Sequence, residues 1–340
     1  MKRLSRIILV VIVAVALMLA FSPQAFAKTY KLTYSNFFPP THIQSKLGES
    51  WCQEVEKRTG GKVKVDYYPG QTLTKAKQVY DGTVEGLSDV GMSVLAYTRG
   101  RFPVMSAVDL PLGYSSGTVA TKIVNMVLQK FEPREFKDVQ VMYLHAHGPG
   151  LVHTKGKAVR KMEDMQGLKF RGHGTSALVV KALGGTPVPK PMPETYEMLQ
   201  KGVVNGAVYP LEANKGWKLG EVTNYATAAF SAAYTTSFFV VMNKDKWNSL
   251  PADAQKTITQ INIEWADKHG AAWDSSDMAG IKFFLNQGGQ IIGVDKKEQA
   301  RWKKAVAPII AEYVAKAKKK GIKNAQEIVD YIISNLNKMQ

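Results

Sequence analysis

The feature that most constrains how this chain can fold is a short glycine pattern that occurs twice. Asp81-Gly82-Thr83-Val84-Glu85-Gly86 runs into Leu87-Ser88-Asp89-Val90, and Lys201-Gly202-Val203-Val204-Asn205-Gly206 runs into Ala207-Val208-Tyr209. Each reads as a helix that ends at one glycine and a buried strand that starts at the glycine four residues later. One such pattern is ordinary helix-to-strand punctuation. Two copies about 120 residues apart, in matching positions, predict a pair of similar α/β lobes. A length of 340 residues accommodates two domains with a core in each.

Around both copies β-rich runs alternate with helical stretches, the pattern of α/β architecture. In the first half the sequence predicts strands over Tyr30–Tyr34, Lys62–Tyr67 and Ser88–Met92, with helices over Ile43–Arg58 and Thr74–Val84. The second half repeats the plan, with strands predicted over Gly167–Gly172, Thr186–Val188 and Gly206–Tyr209 and helices over Thr175–Leu183 and Glu194–Lys201. Val139–Tyr143 reads as a strand. The β-branched and aromatic run Thr236–Met242 suits a strand rejoining a buried sheet. The C-terminal third reads as helices over Pro251–His269, Asp295–Lys318 and Gln326–Leu336.

Residues 1–27 read as an export signal. Lys2, Arg3 and Arg6 precede an apolar run from Ile7 to Phe21, and Ala25-Phe26-Ala27 has the small-residue form that a signal peptidase cuts. That run of 15 residues is short of the ~20 needed to span a bilayer. The expected mature chain begins at Lys28 and is periplasmic. Cys52, the only cysteine, lies too far downstream to be a lipidated first residue, forms no intrachain disulfide, and sits in Trp51-Cys52-Gln53-Glu54-Val55 as a buried helix position.

The formal charge of +17 becomes +14 once the three basic leader residues are removed. A basic balance invites a nucleic-acid reading. The densest cluster, Lys316, Lys318, Lys319, Lys320 and Lys323, instead sits at a helix end, where lysines complement the helix dipole. No arginine-rich strip alternates with stacking aromatics, so nucleic acid is not an expected partner.

Catalytic signatures are missing: there is no G-x-S-x-G elbow, H-E-x-x-H helix, Walker loop or dinucleotide-binding glycine fingerprint. His145 and His147, two residues apart in a loop expected after Val139–Tyr143, share a face. They could pair on a metal, but hydrogen-bonding roles at a strand end fit better. No cofactor is expected.

The informative segment is Asp164-Met165-Gln166-Gly167-Leu168-Lys169-Phe170-Arg171. It resembles the D-x-x-G-x-K-x-R segment of the solute receptors of tripartite ATP-independent periplasmic (TRAP) transporters, the DctP family. The likeness extends over Gly60-Gly61-Lys62-Val63, Tyr68-Pro69-Gly70-Gln71-Thr72-Leu73, Asp109-Leu110-Pro111 and Glu194 to Gly206, in order and at matching spacing. The resemblance implies a two-lobed periplasmic-binding-protein fold with an interdomain ligand cleft and a long C-terminal helix packed across the lobes. Expected boundaries are 28–148 with 238–275 for lobe I, and 149–237 with 276–340 for lobe II. It implies capture of an organic acid, closure about a hinge, and delivery to small and large membrane permease subunits driven by an ion gradient. A monomer is expected.

In that family the arginine of the segment binds the solute carboxylate, which here is Arg171. Its position at a strand end agrees, as does Gly172-His173-Gly174-Thr175-Ser176, which starts a helix whose free N–H groups add positive potential. Members that bind sialic acid carry a second cleft arginine where this chain has Gly150 or Leu151, an asparagine at Tyr209, and an acidic residue at Val94. Three polar positions have become apolar or aromatic, which favours an apolar or aromatic monocarboxylate over a sugar acid or C4-dicarboxylate. Asn36-Phe37-Phe38-Pro39-Pro40 forms a rigid loop able to stack on a flat ligand. His145, His147 and His173 are further candidates, Thr235 or Thr236 could supply a hydroxyl, and Trp217 reads as core. The competing reading is a secreted acid-base enzyme using His145, His147 or His173; a nearer rival is a receptor for an ATP-driven importer.

Overall fold

The structure is a computed structural model and describes residues 28–340, so the predicted leader and the cut after Ala27 lie outside the described residues. From the N-terminal side, β1 (Tyr30–Asn36) leads through α1 (Ile43–Arg58) to β2 (Val63–Tyr68), and α2 (Val79–Val84) leads to β3 (Val90–Val94). α3 (Gly117–Phe131) precedes β4 (Val139–Ala146), after which the chain enters β5 (Gly150–Thr154). The alternation resumes with β6 (Lys169–Gly172), α4 (Gly174–Ala182), β7 (Thr186–Pro189), α5 (Thr195–Gln200) and β8 (Gly206–Pro210). α6 (Ala213–Gly216), β9 (Tyr225–Ala228) and β10 (Ser237–Asn243) follow. The chain ends with α7 (Lys244–Ser249), α8 (Ala252–Asn286), β11 (Gln290–Gly293), α9 (Lys296–Lys319) and α10 (Ala325–Met339).

The strands form two sheets, β2-β1-β3-β10-β4 and β11-β9-β5-β8-β6-β7. In the first, β1 runs parallel to β2 and β3 while β10 is antiparallel to β3 and β4. In the second, β6 is parallel to β7 and β8 while β5 is antiparallel to β8 and β9. The chain leaves the first sheet between β4 and β5 and returns to it between β9 and β10. These two crossings lie side by side: His147 N donates to Thr236 O at 3.3 Å and Gly150 N to Tyr234 O at 2.8 Å. The two connectors thus satisfy part of each other's backbone hydrogen bonding where the chain passes between the sheets.

The repeated glycine pattern is real but shifted by one glycine. α2 runs past Gly82, and the helix-ending turn falls at Gly86, with φ 78°, just as it falls at Gly202, with φ 68°, after α5. Both turns close with the same two bonds, Gly86 N to Thr83 O and Leu87 N to Gly82 O in one lobe, Gly202 N to Leu199 O and Val203 N to Met198 O in the other. Only glycine adopts this left-handed turn without strain. Each next strand begins four residues on, at Val90 and at Gly206.

Two long helices tie the lobes together. α8 continues well beyond the predicted stop at His269, because Gly270 is a packing glycine. A Cβ there would lie 3.2 Å from Thr118 Cα on α3. Ten residues later Gly280 abuts the second lobe, where a Cβ would lie 2.1 Å from Leu211 O. α9 also spans both sides: Ser231 Oγ donates to Gln299 O, while Tyr313 Oη donates to Pro103 O at 3.0 Å. Cys52 is buried on α1, its thiol pushed up by desolvation, in keeping with a structural role. Among the described residues no helix is long and apolar enough to cross a membrane.

Candidate ligand-binding site

The C-terminal ends of β1, β3, β6 and β8 converge on the space between the sheets, which is where open α/β folds bind ligands. The cleft there is nearly closed, with a cavity of about 30 Å³. Arg171 on β6 stands in its wall, 1% exposed. Its Nε donates to Lys190 O at 2.9 Å, which fixes one edge of the guanidinium, while Nη2 is buried and has no hydrogen-bond partner. The acids near it in sequence are engaged elsewhere: Glu163 pairs with Arg301, and Asp164 caps the turn before it by accepting from Arg160 N and Lys161 N. A buried cation with an unused donor is costly unless an anion completes it.

The groups next to Arg171 are neutral. Burial, then the nearby Arg171 charge, drives the His173 imidazole well below its usual range, and both its ring nitrogens are buried without partners. Burial pushes His147 down to about 4; its Nδ1 donates to Gly148 O at 2.5 Å, which leaves Nε2 as an acceptor. Tyr97 Oη accepts from Met192 N at 2.8 Å, and its ring lies 5.0 Å from that of His173. Arg171 is therefore the sole full positive charge among the described residues lining the cleft.

Aromatic rings make up much of the remaining wall. Phe37 stacks on Trp217 at 6.0 Å and on Phe238 at 6.4 Å, and Phe38 packs on His42 at 4.3 Å. Tyr209 contributes the side of its ring. Its hydroxyl is turned away, donating to Asn214 Oδ1 at 3.2 Å and lying 3.1 Å from Thr223 Oγ1, and its ring stacks on His153 at 3.7 Å.

Of the residues expected from sequence, the cleft collects Arg171, Phe37, Phe38, Val94, His147, His173 and Tyr209. Four others are placed elsewhere. Asn36 is buried behind the loop, where Nδ2 donates to Tyr67 Oη and Oδ1 accepts from Phe38 N, so it shapes the aromatic loop from below. His145 lies within β4, which extends to Ala146 rather than ending at Tyr143. It is stacked between Phe238 and His269, and its Nδ1 accepts from Trp273 Nε1. Gly150 is covered by the Tyr234 ring. Thr235 turns its hydroxyl to His147 O at 2.6 Å, and its neighbour Thr236 faces the cleft instead. Trp217, read as core, lines it too.

Sequence reasoning missed Tyr97, Glu212, Tyr234, Phe238 and Trp273, all in the cleft wall. Phe238 was findable, since it shares a strand face with Thr236. Trp273 lies beyond the predicted helix end, and the others come from turns that carry no motif. Among the described residues no group of three metal-ligating side chains comes together, so the His145/His147 metal pair has no third ligand.

Two sheets, paired crossing segments and a buried arginine between the lobes define a two-lobed solute receptor. The family of bacterial extracellular solute-binding proteins, family 7 (DctP), matches residues 34–317, and the chain belongs to it. It is thus a solute-binding receptor of the TRAP type, and such receptors are periplasmic transport proteins that work with membrane permeases. A marine-metagenome TRAP solute-binding protein described as specific for aromatic acid ligands, solved with 3-hydroxybenzoate, is 29% identical, with a TM-score of 0.87 over 92% of this chain and 99% of that one. A Rhodoferax ferrireducens TRAP protein solved with copurified benzoate is 28% identical, with a TM-score of 0.86 over 91% and 98%. The C4-dicarboxylate-binding periplasmic protein DctP of Rhodobacter capsulatus is 26% identical over 89% of this chain and 92% of its own.

Proposed function

We propose that this receptor captures an aromatic monocarboxylate in the periplasm and delivers it to the small and large membrane subunits of a TRAP permease. The observation that carries the reading is Arg171: a buried guanidinium, tied at Nε and free at Nη2, in a wall otherwise made largely of aromatic rings. One carboxylate completes the arginine through two parallel donors, and a flat ring fills the space between Phe37, Phe38, Trp217 and Tyr209. Burying one ring removes on the order of 150–250 Å² from water, worth at most about 4–6 kcal/mol before ordering costs. The names of the relatives solved with benzoate and 3-hydroxybenzoate support the same ligand class.

A C4-dicarboxylate fits less well. Its second carboxylate would need a second cation, and besides the hydroxyls of Tyr97, Tyr209 and Tyr234 the other titratable groups of the wall are the neutral His147 and His173 and the carboxyl of Glu212. Polyhydroxylated acids would leave several hydroxyls unpaired against Val94, Phe238 and Trp273. The narrow cleft implies that the lobes part at the crossing segments to admit a ring and close over it, with the closed form stabilised by contacts made to both lobes at once.

A thermal-shift panel of benzoate, phenylacetate, indole-3-acetate, succinate, glucuronate and sialic acid, with mass spectrometry of any small molecule that survives purification, tests the assignment. Stabilisation by the first three supports it. Stabilisation by succinate or the sugar acids alone overturns it.

A further inference from the structure

The cleft contains one carboxyl group, and its setting is built. Glu212 follows β8 and is 3% exposed, yet it lines the same space as Arg171. Its Oε2 lies 3.0 Å from Nε2 of His42. The direction of that contact is fixed from the other side of the ring, because His42 Nδ1 accepts from Gln44 N at the start of α1. The ring proton therefore sits on Nε2 of His42, yet the pair is too bent for a hydrogen bond, and His42 Nε2 and Glu212 Oε2 are both buried without a hydrogen-bond partner. Asp277 on α8 holds the glutamate from behind, Oδ1 accepting from Glu212 N at 2.7 Å. The backbone of α6 presses on the pair so closely that a Cβ on Gly216 would lie 2.5 Å from Glu212 Oε2 and 2.6 Å from His42 Nε2.

His42 precedes α1 beside the first sheet, and Glu212 leaves the second, so the buried contact joins the lobes beside the cleft. Oε2 is buried without a hydrogen-bond partner, and no hydrogen bond from the described residues reaches Oε1 either. Because β6 and β8 pair with Arg171 opposite Ala207, Glu212 lies five residues beyond the arginine's partner, past the end of β8. The cleft thus has a cation on β6 and an acceptor past the end of β8, with aromatic rings in the same wall.

Resting on the aromatic-acid reading above, the geometry points to Glu212 as a specificity-determining residue: its buried carboxyl group, which no side chain satisfies, accepts a hydrogen bond from a hydroxyl on the ligand ring, with His42, 3.0 Å from Oε2, as the positioning residue. A ring acid carrying such a hydroxyl satisfies Arg171 through its carboxylate and Glu212 through its O–H. An unsubstituted ring desolvates the glutamate and gives nothing back, and sites that hold a polar group discriminate in this way.

The test is calorimetric binding of phenylacetate, 3-hydroxyphenylacetate and 4-hydroxyphenylacetate to the wild-type protein, to Glu212→Gln and to His42→Ala. A hydrogen bond to a charged acceptor predicts that at least one hydroxylated acid binds roughly 10- to 100-fold more tightly than phenylacetate in the wild type. Glu212→Gln should shrink that ratio below about threefold and bind phenylacetate at least as tightly as the wild type, because the unsubstituted ring no longer desolvates a carboxyl group, and His42→Ala should shrink the ratio too; simple loss of stability would weaken all three acids alike. Equal binding of all three acids by the wild type overturns the role of Glu212 and leaves the aromatic-acid reading standing. So does a hydroxyl preference that survives in Glu212→Gln. Failure of the wild type to bind any of the three overturns both.

Discussion

A Cβ placed on Gly150 would lie 2.3 Å from Cε1 of Tyr234, so the tyrosine ring occupies the space that a side chain at position 150 requires. Gly150 is one of the two positions, with Leu151, at which the family resemblance suggested a lost second arginine. The crossing segments have filled that space with an aromatic side chain that itself lines the cleft. Glycine at 150 and tyrosine at 234 are one packing unit.

That relationship predicts a strong coupling. Gly150→Ala should destabilise the wild-type protein by about 1–3 kcal/mol, the usual cost of overpacking, because the buried ring has nowhere to go. In a Tyr234→Ala background the same substitution should cost under about 0.5 kcal/mol. Urea unfolding of the four proteins in the cycle measures it, and equal costs in both backgrounds would show that the ring yields freely.

Tyr209 faces the cleft with its ring but bonds its hydroxyl to Asn214 and Thr223. Tyr209→Phe should leave affinity for aromatic acids within about threefold and cost about 1 kcal/mol of stability. Tyr209→Ala should weaken aromatic acids most. An affinity loss in Tyr209→Phe as large as in Tyr209→Ala would place the hydroxyl on the ligand instead.

Stability should peak near neutral pH and decline on both sides, for reasons of burial. Five histidines, His145, His147, His153, His173 and His269, are held neutral by desolvation, with His147 lowered to about 4 and His153 and His269 to about 3. Their folded pKa values lie below the unfolded value of ~6.5, so their contribution is present above about pH 6.5 and is lost as pH falls. Burial has the opposite consequence for three carboxyls, raising Asp109 and Glu135 to about 7 and Asp277 to about 8. The folded state keeps protons that the unfolded chain releases near pH ~4, so their contribution is lost as pH rises to about 8. Between about pH 4.5 and 6.5 the histidines outnumber the carboxyls and stability rises. Above 6.5 only the carboxyls act and it falls. Urea midpoints at pH 5, 6.5 and 8.5 check the shape, and a midpoint that climbs steadily to pH 8.5 would refute it.

Much of the fold could be read from sequence because its signals are local. The Gly202 turn, the α1 face of Trp51, Cys52 and Val55, and the apolar positions of α9 each announce one element, whereas in the first copy the turn falls at Gly86, which the sequence reads as the start of the strand. The extent of α8 could not be read, because Gly270 looks like a helix stop and only its contact with α3 shows it to be a packing residue. The site divided along the same line. Arg171, Phe37 and Phe38 lie in recognisable segments at strand ends. Glu212, Tyr97 and Tyr234 reach the cleft from turns whose direction is set by tertiary contacts, such as Asp277 on Glu212 and the bridge between Gly150 and Tyr234. Asn36 and His145 were misplaced because polar residues next to aromatic ones look like site residues, whereas Asn36 bonds to Tyr67 and to Phe38 N and His145 is stacked between Phe238 and His269.

The most direct test of the account is calorimetric titration of the wild type, Arg171→Ala and Arg171→Lys with benzoate or phenylacetate. Removing one partner of a buried charge pair costs about 2–5 kcal/mol, or roughly 30-fold to several thousand-fold in affinity. Arg171→Ala should therefore show no measurable binding at micromolar ligand while its ligand-free melting temperature stays close to that of the wild type, since the guanidinium it removes lacks an anion to pair with. Arg171→Lys, a point charge without the two parallel donors, should recover only part of the loss. Arg171→Ala binding within threefold of the wild type would contradict the account and place the carboxylate anchor elsewhere.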